Sequence, residues 1–240
     1  METLHPVAPQ EQLLAQGEYN YQVAGQDSGL QESWTLHHSP KGEIIHRAQV
    51  GGLIAGTNLK QMSHFIMAPD FQPLSLEMTQ DINHQLARTQ LECADTLVHQ
   101  SITTENYDEN TGPDTTLETE VAVPLGYRLF FPPVSAQGLI VYGYNFAAGG
   151  KQVIPLASVR IQPENALPLS VDTQSIEYEY IEDFDVETPA GQFCCRHFIR
   201  YDQHMQQHLW IDENWITVQW SVPYSEIMKW EYLLTRYHRA

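Results

Sequence analysis

Eleven histidines in a chain of 240 residues are the first place to look for chemistry. Two spacings stand out: the adjacent pair His37-His38, and His204 with His208, whose i, i+4 separation would set two imidazoles on one helix face for a metal. Both fall at strand ends or among turn residues, with no cysteine or carboxylate cluster at ligand spacing. Strand-face imidazoles are the simpler account, and no metal site is assigned. Cys194 and His197 supply the residue types of a thiol–imidazole nucleophile. On a strand, however, residues three apart face opposite ways; His197 shares its face with Cys195, and a buried strand cysteine is the default. Glu177/Glu179 and Glu182/Asp183 are paired carboxylates. Glycosidic chemistry needs two carboxyls facing across a cleft, whereas these positions fit a wet sheet face. No phosphate loop, G-x-G-x-x-G, G-x-S-x-G or H-E-x-x-H is present. No catalytic residue and no cofactor are assigned, and an enzyme is the less favoured class.

The richer signal is aromatic. Trp34, Trp210, Trp215, Trp220 and Trp230 join Tyr19, Tyr21, Tyr178, Tyr180, Tyr232, Phe130 and Phe131. Large rings gathered on one face of a bent sheet need something to fill the hollow: a helix, the opposite wall of a closed barrel, or an apolar ligand. An ordinary core is the plain reading. A ligand cavity lined by Trp34, Tyr178, Tyr180, Trp210 and Trp220 is the functional one.

The elements that must hold those rings are strands. Ile176, Tyr178 and Tyr180 alternate with Glu177 and Glu179; Phe193, Cys195, His197 and Ile199 with Cys194, Arg196, Phe198 and Arg200; and Ile216, Val218, Trp220 and Val222 with Trp215, Thr217, Gln219 and Ser221. Thr188-Pro189-Ala190-Gly191, Asp202-Gln203 and Asp212-Glu213-Asn214 sit between them as turns. Period two with turn residues between runs marks an antiparallel meander. Earlier, Gln26-Asp27-Ser28-Gly29 and Ser39-Pro40-Lys41-Gly42 separate similar runs, and Gly51-Gly52 and Gly56 mark a bulge or a close backbone approach. A short helical turn is expected over 11–15, with Leu13 and Leu14 across an open end of the sheet. Residues 134–144 read equally as helix or strand; as a helix, Ser135 is its N-cap and the segment crosses the open side of the sheet. Roughly eleven strands and no convincing linker point to a single curved domain over 17–240, behind a tail and short helix over 1–16. The fold class is mainly β with one or two short helices: a strongly curved antiparallel sheet forming an unclosed or half-open barrel.

Twelve Lys and Arg against thirty Asp and Glu give a net charge of −18. That leaves no basic footprint for nucleic acid or an anionic membrane surface. No run approaches the ~18 apolar residues of a membrane span. The opening Met1-Glu2-Thr3-Leu4-His5-Pro6 lacks the basic start and apolar run of a leader, and three cysteines, two of them adjacent, favour reduced thiols. A cytoplasmic protein is expected, or a periplasmic one if a leader preceded it.

The segment from Val186 through Thr188-Pro189-Ala190-Gly191 to Phe193, with His208-Leu209-Trp210-Ile211 and Val222-Pro223, resembles a bacterial domain family of unknown function built as half-open antiparallel barrels. Gly17-Glu18-Tyr19-Asn20-Tyr21-Gln22-Val23, with Gly29 and Trp34, resembles that family's first hairpin. The likeness covers both ends of the chain and leaves 55–165 thinly matched. The family's architecture is similar to that of periplasmic lipoprotein carriers, whose unclosed barrel wraps an acyl-chain cavity lidded by short helices. The resemblance implies the fold, a hydrophobic cavity as the site, and no catalytic residues. The carriers are exported, and neither a leader nor a lipobox cysteine is visible here. The resulting expectation is non-catalytic binding of a lipid-like or other apolar molecule in the concave interior. The alternatives are a protein-interaction module with a self-filled core and a hydrolase on the same scaffold, the latter requiring His, Asp or Glu side chains that converge in the cavity with perturbed titration.

Overall fold

The two-residue rhythm is realised as one sheet. The computed structural model describes residues 1–240 except 55, 83–84, 108–113, 162–167, 203–204, 224 and 226–227. A first run of hairpins comprises β1 (Gln12–Val23), β2 (Gln26–His38), β3 (Ile44–Ile54), β4 (Thr57–Met67), β5 (Pro73–Ile82), β6 (Gln85–Cys93), β7 (Leu97–Asn106) and β8 (Thr115–Ala122). The short β9 (Arg128–Phe130) and helix α1 (Gln137–Ile140) follow. A second run comprises β10 (Lys151–Ile161), β11 (Pro168–Thr188), β12 (Gly191–Asp202), β13 (Met205–Ile211), β14 (Thr217–Pro223) and β15 (Lys229–Arg239). Across the sheet the order is β8-β7-β6-β5-β4-β3-β2-β1-β15-β14-β13-β12-β11-β10-β9. The two ends of the chain therefore meet in mid-sheet, where β1 pairs with β15. Neighbours are antiparallel except β9 and β10, which run parallel. Among the described residues no ladder joins the edge strands β8 and β9, so the barrel is unclosed. Across the seam the Gln100 side-chain oxygen accepts the Val171 N–H at 2.6 Å, tying β7 to β11.

Pairing register decides what faces inward. Trp34, Ala48, Ser63, Met78, Thr89 and Ile102 stand opposite one another on successive strands, all buried. The next row reads Glu32, Val50, Gln61, Gln80 and Ala87, also buried. The hollow is therefore not purely apolar: a polar band crosses it. Gly52, at φ +141°, resolves the glycine alternatives as a close approach, since a Cβ there would lie 1.9 Å from the Gly29 carbonyl oxygen.

The outer face of β3 to β5 is partly covered as well. Residues 1–11 lie across it, with Glu2 paired to Lys60 at 2.6 Å and His5 to Glu77 at 2.9 Å. Glu11 receives two guanidinium bonds from Arg47, at 2.8 and 3.0 Å. That pair is almost wholly buried, so its geometry, two parallel charge-assisted bonds, is what makes it tolerable. The helical turn expected over 11–15 does not form. Residues from Gln12 onward extend β1 and pair with His38 and His37 of β2. A ladder offered by a neighbouring strand outcompetes an isolated helical turn, whose nucleus is costly.

Candidate functional site

The hollow is occupied by the protein's own residues 131–144. Val134–Ala136 forms a 3₁₀ turn, Gln137–Ile140 helix α1, and Val141–Gly143 a second 3₁₀ turn. Every residue from 133 to 141 is buried, whatever its helical phase. Periodicity had no preference between helix and strand there because protein surrounds the segment on all sides, so no polar face exists to betray the repeat. The Phe131 ring meets Phe65 edge-on at 5.1 Å, and Phe130 lies 4.5 Å beneath the Arg200 guanidinium.

One carboxylate holds this plug. Glu32, fully buried on β2, accepts the N–H of Val134 at 2.8 Å, the N–H of Ser135 at 2.9 Å, the Tyr21 hydroxyl at 2.6 Å and the Ser135 hydroxyl. Burial raises its pKa, and these four donors oppose the rise. Ser135 Oγ also lies 2.7 Å from His46 Nε2. The serine is therefore not an N-cap; its hydroxyl is spent on the barrel wall, and Pro133 precedes the first turn without a side-chain cap. Ser, His and Glu do converge with perturbed titration, but not as a nucleophilic triad. In such a triad the carboxylate orients the imidazole and the imidazole deprotonates the serine. Here the serine stands in the middle, the carboxylate touches the serine, and all three are sealed from solvent. The arrangement is a latch.

The latch has an acid signature. Burial, with the neighbouring His64 and Arg47 charges, lowers the His46 pKa to about 3. The unfolded chain takes up this proton below its ordinary value of 6.5 and the folded protein does not, so the stability is present above pH 6.5 and is lost as pH falls toward 3. At pH 4.5 the loss from His46 alone is about 3 kcal/mol. Glu32, whose folded pKa is raised, works in the opposite sense and blunts the slope. Urea unfolding across this range should give a shallower pH dependence for His46→Gln; an unchanged slope would mean that His46 is not held neutral.

At one mouth of the barrel the chain departs from its own turn chemistry. Three hairpin turns share a geometry in which residue 4 donates to residue 1 and residue 1 donates to residue 5. Gly42 bonds Ser39 at 2.9 Å, Phe71 bonds Ala68 at 2.9 Å and Trp215 bonds Asp212 at 3.1 Å. The fourth residue sits at φ +82°, +61° and +66° respectively. Glycine is the usual occupant of this left-handed position, and a residue with a Cβ costs about 1–2 kcal/mol there. Two of the three turns bear that cost with a large ring, and both rings meet Tyr142: Phe71 at 4.4 Å and Trp215 at 5.2 Å. Trp215 continues to Phe146, which contacts Tyr180 at 5.3 Å, Phe198 at 6.0 Å and Tyr144 at 5.2 Å. Arg196 lies over Trp215 at 4.9 Å and over Phe146 at 5.3 Å. In this cluster Tyr142 is 36% and Phe146 42% exposed.

No family model matches the chain, and neither does any curated protein. Among solved structures it is similar to a beta-barrel-like protein of Domain of Unknown Function DUF1849 from Brucella abortus, with a TM-score of 0.56, 9% identity, and 95% of this chain and 98% of that one covered. The shared property is the fold. The chain has the architecture of a bacterial barrel-like protein of unknown function, in agreement with the resemblance of its end segments. A protein classed provisionally as a lipoprotein, from Parabacteroides distasonis, aligns over 96% of this chain and 97% of that one, with a TM-score of 0.35 and 9% identity.

The five rings expected to line one cavity are dispersed. Tyr180 alone joins the mouth. Trp34 is buried against Tyr19 and Tyr237, Tyr178 is buried opposite Arg200, and Trp220 is buried against Tyr232. Trp210 faces the other side of the sheet from Trp220: Trp220 pairs with Leu209, while Trp210 pairs with Gln219 and stacks on His197 at 4.8 Å. Beside Trp34 runs an open groove of about 620 Å³ of mixed lining, with Gln16, Glu18 and Arg236 alongside Pro189, Ala190 and Tyr237. The mouth was legible in principle. Pro69-Asp70-Phe71 and Glu213-Asn214-Trp215 stand where Pro40-Lys41-Gly42 stands in the first turn, with a ring in the glycine's place.

The other candidates fare as follows. Among the described residues no three His, Cys, Asp or Glu form a group fit for a metal, and His204 lies outside those residues. Burial pushes the Cys195 thiol up to about 12 and that of Cys93 up to about 11, which leaves little thiolate at neutral pH. No helix among the described residues is long and apolar enough to cross a membrane.

Proposed function

We propose that this protein is a non-catalytic binding module whose apolar ligand docks at the aromatic mouth, not in the hollow. The carrying observation is the pair of left-handed aromatics: Phe71 and Trp215 bear a backbone cost that glycine would remove, both rings meet the exposed Tyr142, and Trp215 also meets the exposed Phe146. Strain kept at one place on a fold points to use of that place. Exposed rings rimmed by polar residues are the usual dress of a binding surface. The hollow is a poorer candidate because 131–144 already fills it, and a ligand there must break the Glu32 bonds first.

The test is titration with N-phenyl-1-naphthylamine, a neutral dye that brightens in apolar surroundings. Saturable binding is expected, weakened about tenfold by Phe146→Ala and by Trp215→Gly, while Trp220→Phe leaves it unchanged. Trp215→Gly also removes the left-handed cost, about 1–2 kcal/mol, which offsets much of the lost ring packing and keeps the variant folded. Absence of saturable binding sinks the reading; equal binding by all variants moves the site away from the mouth. A second reading, a partner protein's apolar side chain at the same rings, draws support from the filled hollow. It is the one left standing if free small molecules fail and a partner is captured only by protein with Phe146 intact.

A further inference from the structure

Cations are scarce in this chain, twelve against thirty carboxylates, so each should find a partner readily. Among the described residues nine of them have a carboxylate within 4.0 Å. The three without one are Lys41, at an exposed turn, and Arg128 and Arg196, both at the aromatic mouth. Arg128 reaches up beside Tyr142: its Nη2 is 3.3 Å from where a Cβ on Gly143 would be. Asp70 acts on it through space without forming an ion pair. Arg196 lies over Trp215 and Phe146, and its Nη1 is buried with no hydrogen-bond partner among the described residues. Its cross-strand neighbour Asp183 forms no ion pair with it among the described residues, and acts on Tyr180, whose pKa burial and this carboxylate raise. Arg196 lies over Trp215, which contacts Tyr142 at 5.2 Å, and Tyr142 acts electrostatically on Arg128.

A guanidinium left unpaired in a strongly acidic protein, twice, at one ring-lined opening, calls for an anion from outside. We infer that the mouth takes an amphiphilic anion: an apolar body against Tyr142 and Phe146, with a carboxylate, phosphate or sulfonate held by Arg196 and with Arg128 adding positive potential from the Tyr142 side. Arg suits such groups because its planar fork bonds two oxygens at once and stacks on rings. A free small molecule is the source, because the net charge of −18 opposes approach to an anionic bilayer. The inference rests on the mouth being the ligand site, and the experiment separates the two.

The probes are a matched pair of dyes, 8-anilino-1-naphthalenesulfonate and N-phenyl-1-naphthylamine, which share an aromatic body and differ by the sulfonate. At about 20 mM salt the sulfonate is expected to bind at least about tenfold tighter, with the gap narrowing at about 0.5 M salt. The readout is the ratio of the two affinities, since Arg196 also covers the rings: Arg196→Gln should bring the sulfonate to within about threefold of the neutral dye, and Arg196→Lys, which keeps the charge and loses the fork, should fall between. Near-ultraviolet circular dichroism checks that each variant keeps its packed rings. Equal affinity of wild type for both dyes overturns the anion inference and leaves the apolar mouth standing. Failure of both dyes removes the mouth as a ligand site and the inference with it. Sedimentation with phosphatidylglycerol vesicles but not phosphatidylcholine vesicles, without preference for the soluble sulfonate, overturns the free-ligand proposal in favour of a membrane surface.

Discussion

Glu32→Ala is expected to lower the midpoint of thermal unfolding by roughly 6–12 °C at neutral pH, the counterpart of about 3 kcal/mol in a chain of this size. Two backbone N–H groups, a serine hydroxyl and a tyrosine hydroxyl lose their shared acceptor in a sealed interior. Each orphaned buried donor costs on the order of 1–3 kcal/mol, and relief of the carboxylate's own desolvation returns part of the sum. Glu32→Gln should be milder, because one oxygen survives while the amide NH₂ faces donors. Amide hydrogen exchange localises the effect: Val134 and Ser135 should lose protection before the ladders of β2 and β3. A variant within about 1 kcal/mol of wild type, with both amides still protected, would mean that apolar contact alone holds the plug.

Gly138→Ala carries the second large effect, and its sign is the diagnostic part. In an ordinary helix this exchange is favourable by about 1 kcal/mol. Here the added Cβ would sit 2.1 Å from the Trp215 carbonyl oxygen and 2.9 Å from its carbon, backbone atoms that no rotamer change can move aside. Nor is the turn free to retreat. The buried Asp212 carboxylate accepts the N–H groups of Asn214 at 2.9 Å and Ile216 at 2.8 Å and the Tyr237 hydroxyl at 3.2 Å. Destabilisation of about 3 kcal/mol is expected by urea unfolding, with a matching loss of dye binding because Trp215 is displaced from the mouth. Unchanged or raised stability would show that helix α1 does not press against this turn as described.

How far the fold could be foreseen depends on the element. The alternation in β11 to β14 is strong because polar and apolar residues take turns against a boundary between core and water. The same rule blurs where both faces are covered: β3, under residues 1–11, reads Ile44-Ile45-His46-Arg47-Ala48, buried without a break. Fifteen strands stand among the described residues where roughly eleven were expected. Three-residue β9 is too short to carry a period, and the start of β1 does not declare itself locally because its pairing partner in β2 lies two dozen residues away in sequence. The site was less legible. Trp210 and Trp220 look equivalent on paper, but they lie on opposite sides of a turn, and the ladder between their strands shifts at Trp210/Ile211. Inward parity is lost at each such shift, since a one-residue slip exchanges the faces.

By itself the sequence determined the local chemistry: extended backbone wherever side chains alternate, turns at Pro, Gly and Asp, an acidic surface, and too few motifs for a catalytic reading. Those properties follow from neighbours along the chain. Tertiary structure alone decided that 131–144 becomes the filling of the barrel, that a glutamate from β2 is its anchor, and that two turn aromatics and two unpaired arginines share one opening. Each of those facts joins residues dozens of positions apart. Their contact is fixed by strand order and register, which are collective properties of the whole sheet and not of any stretch within it.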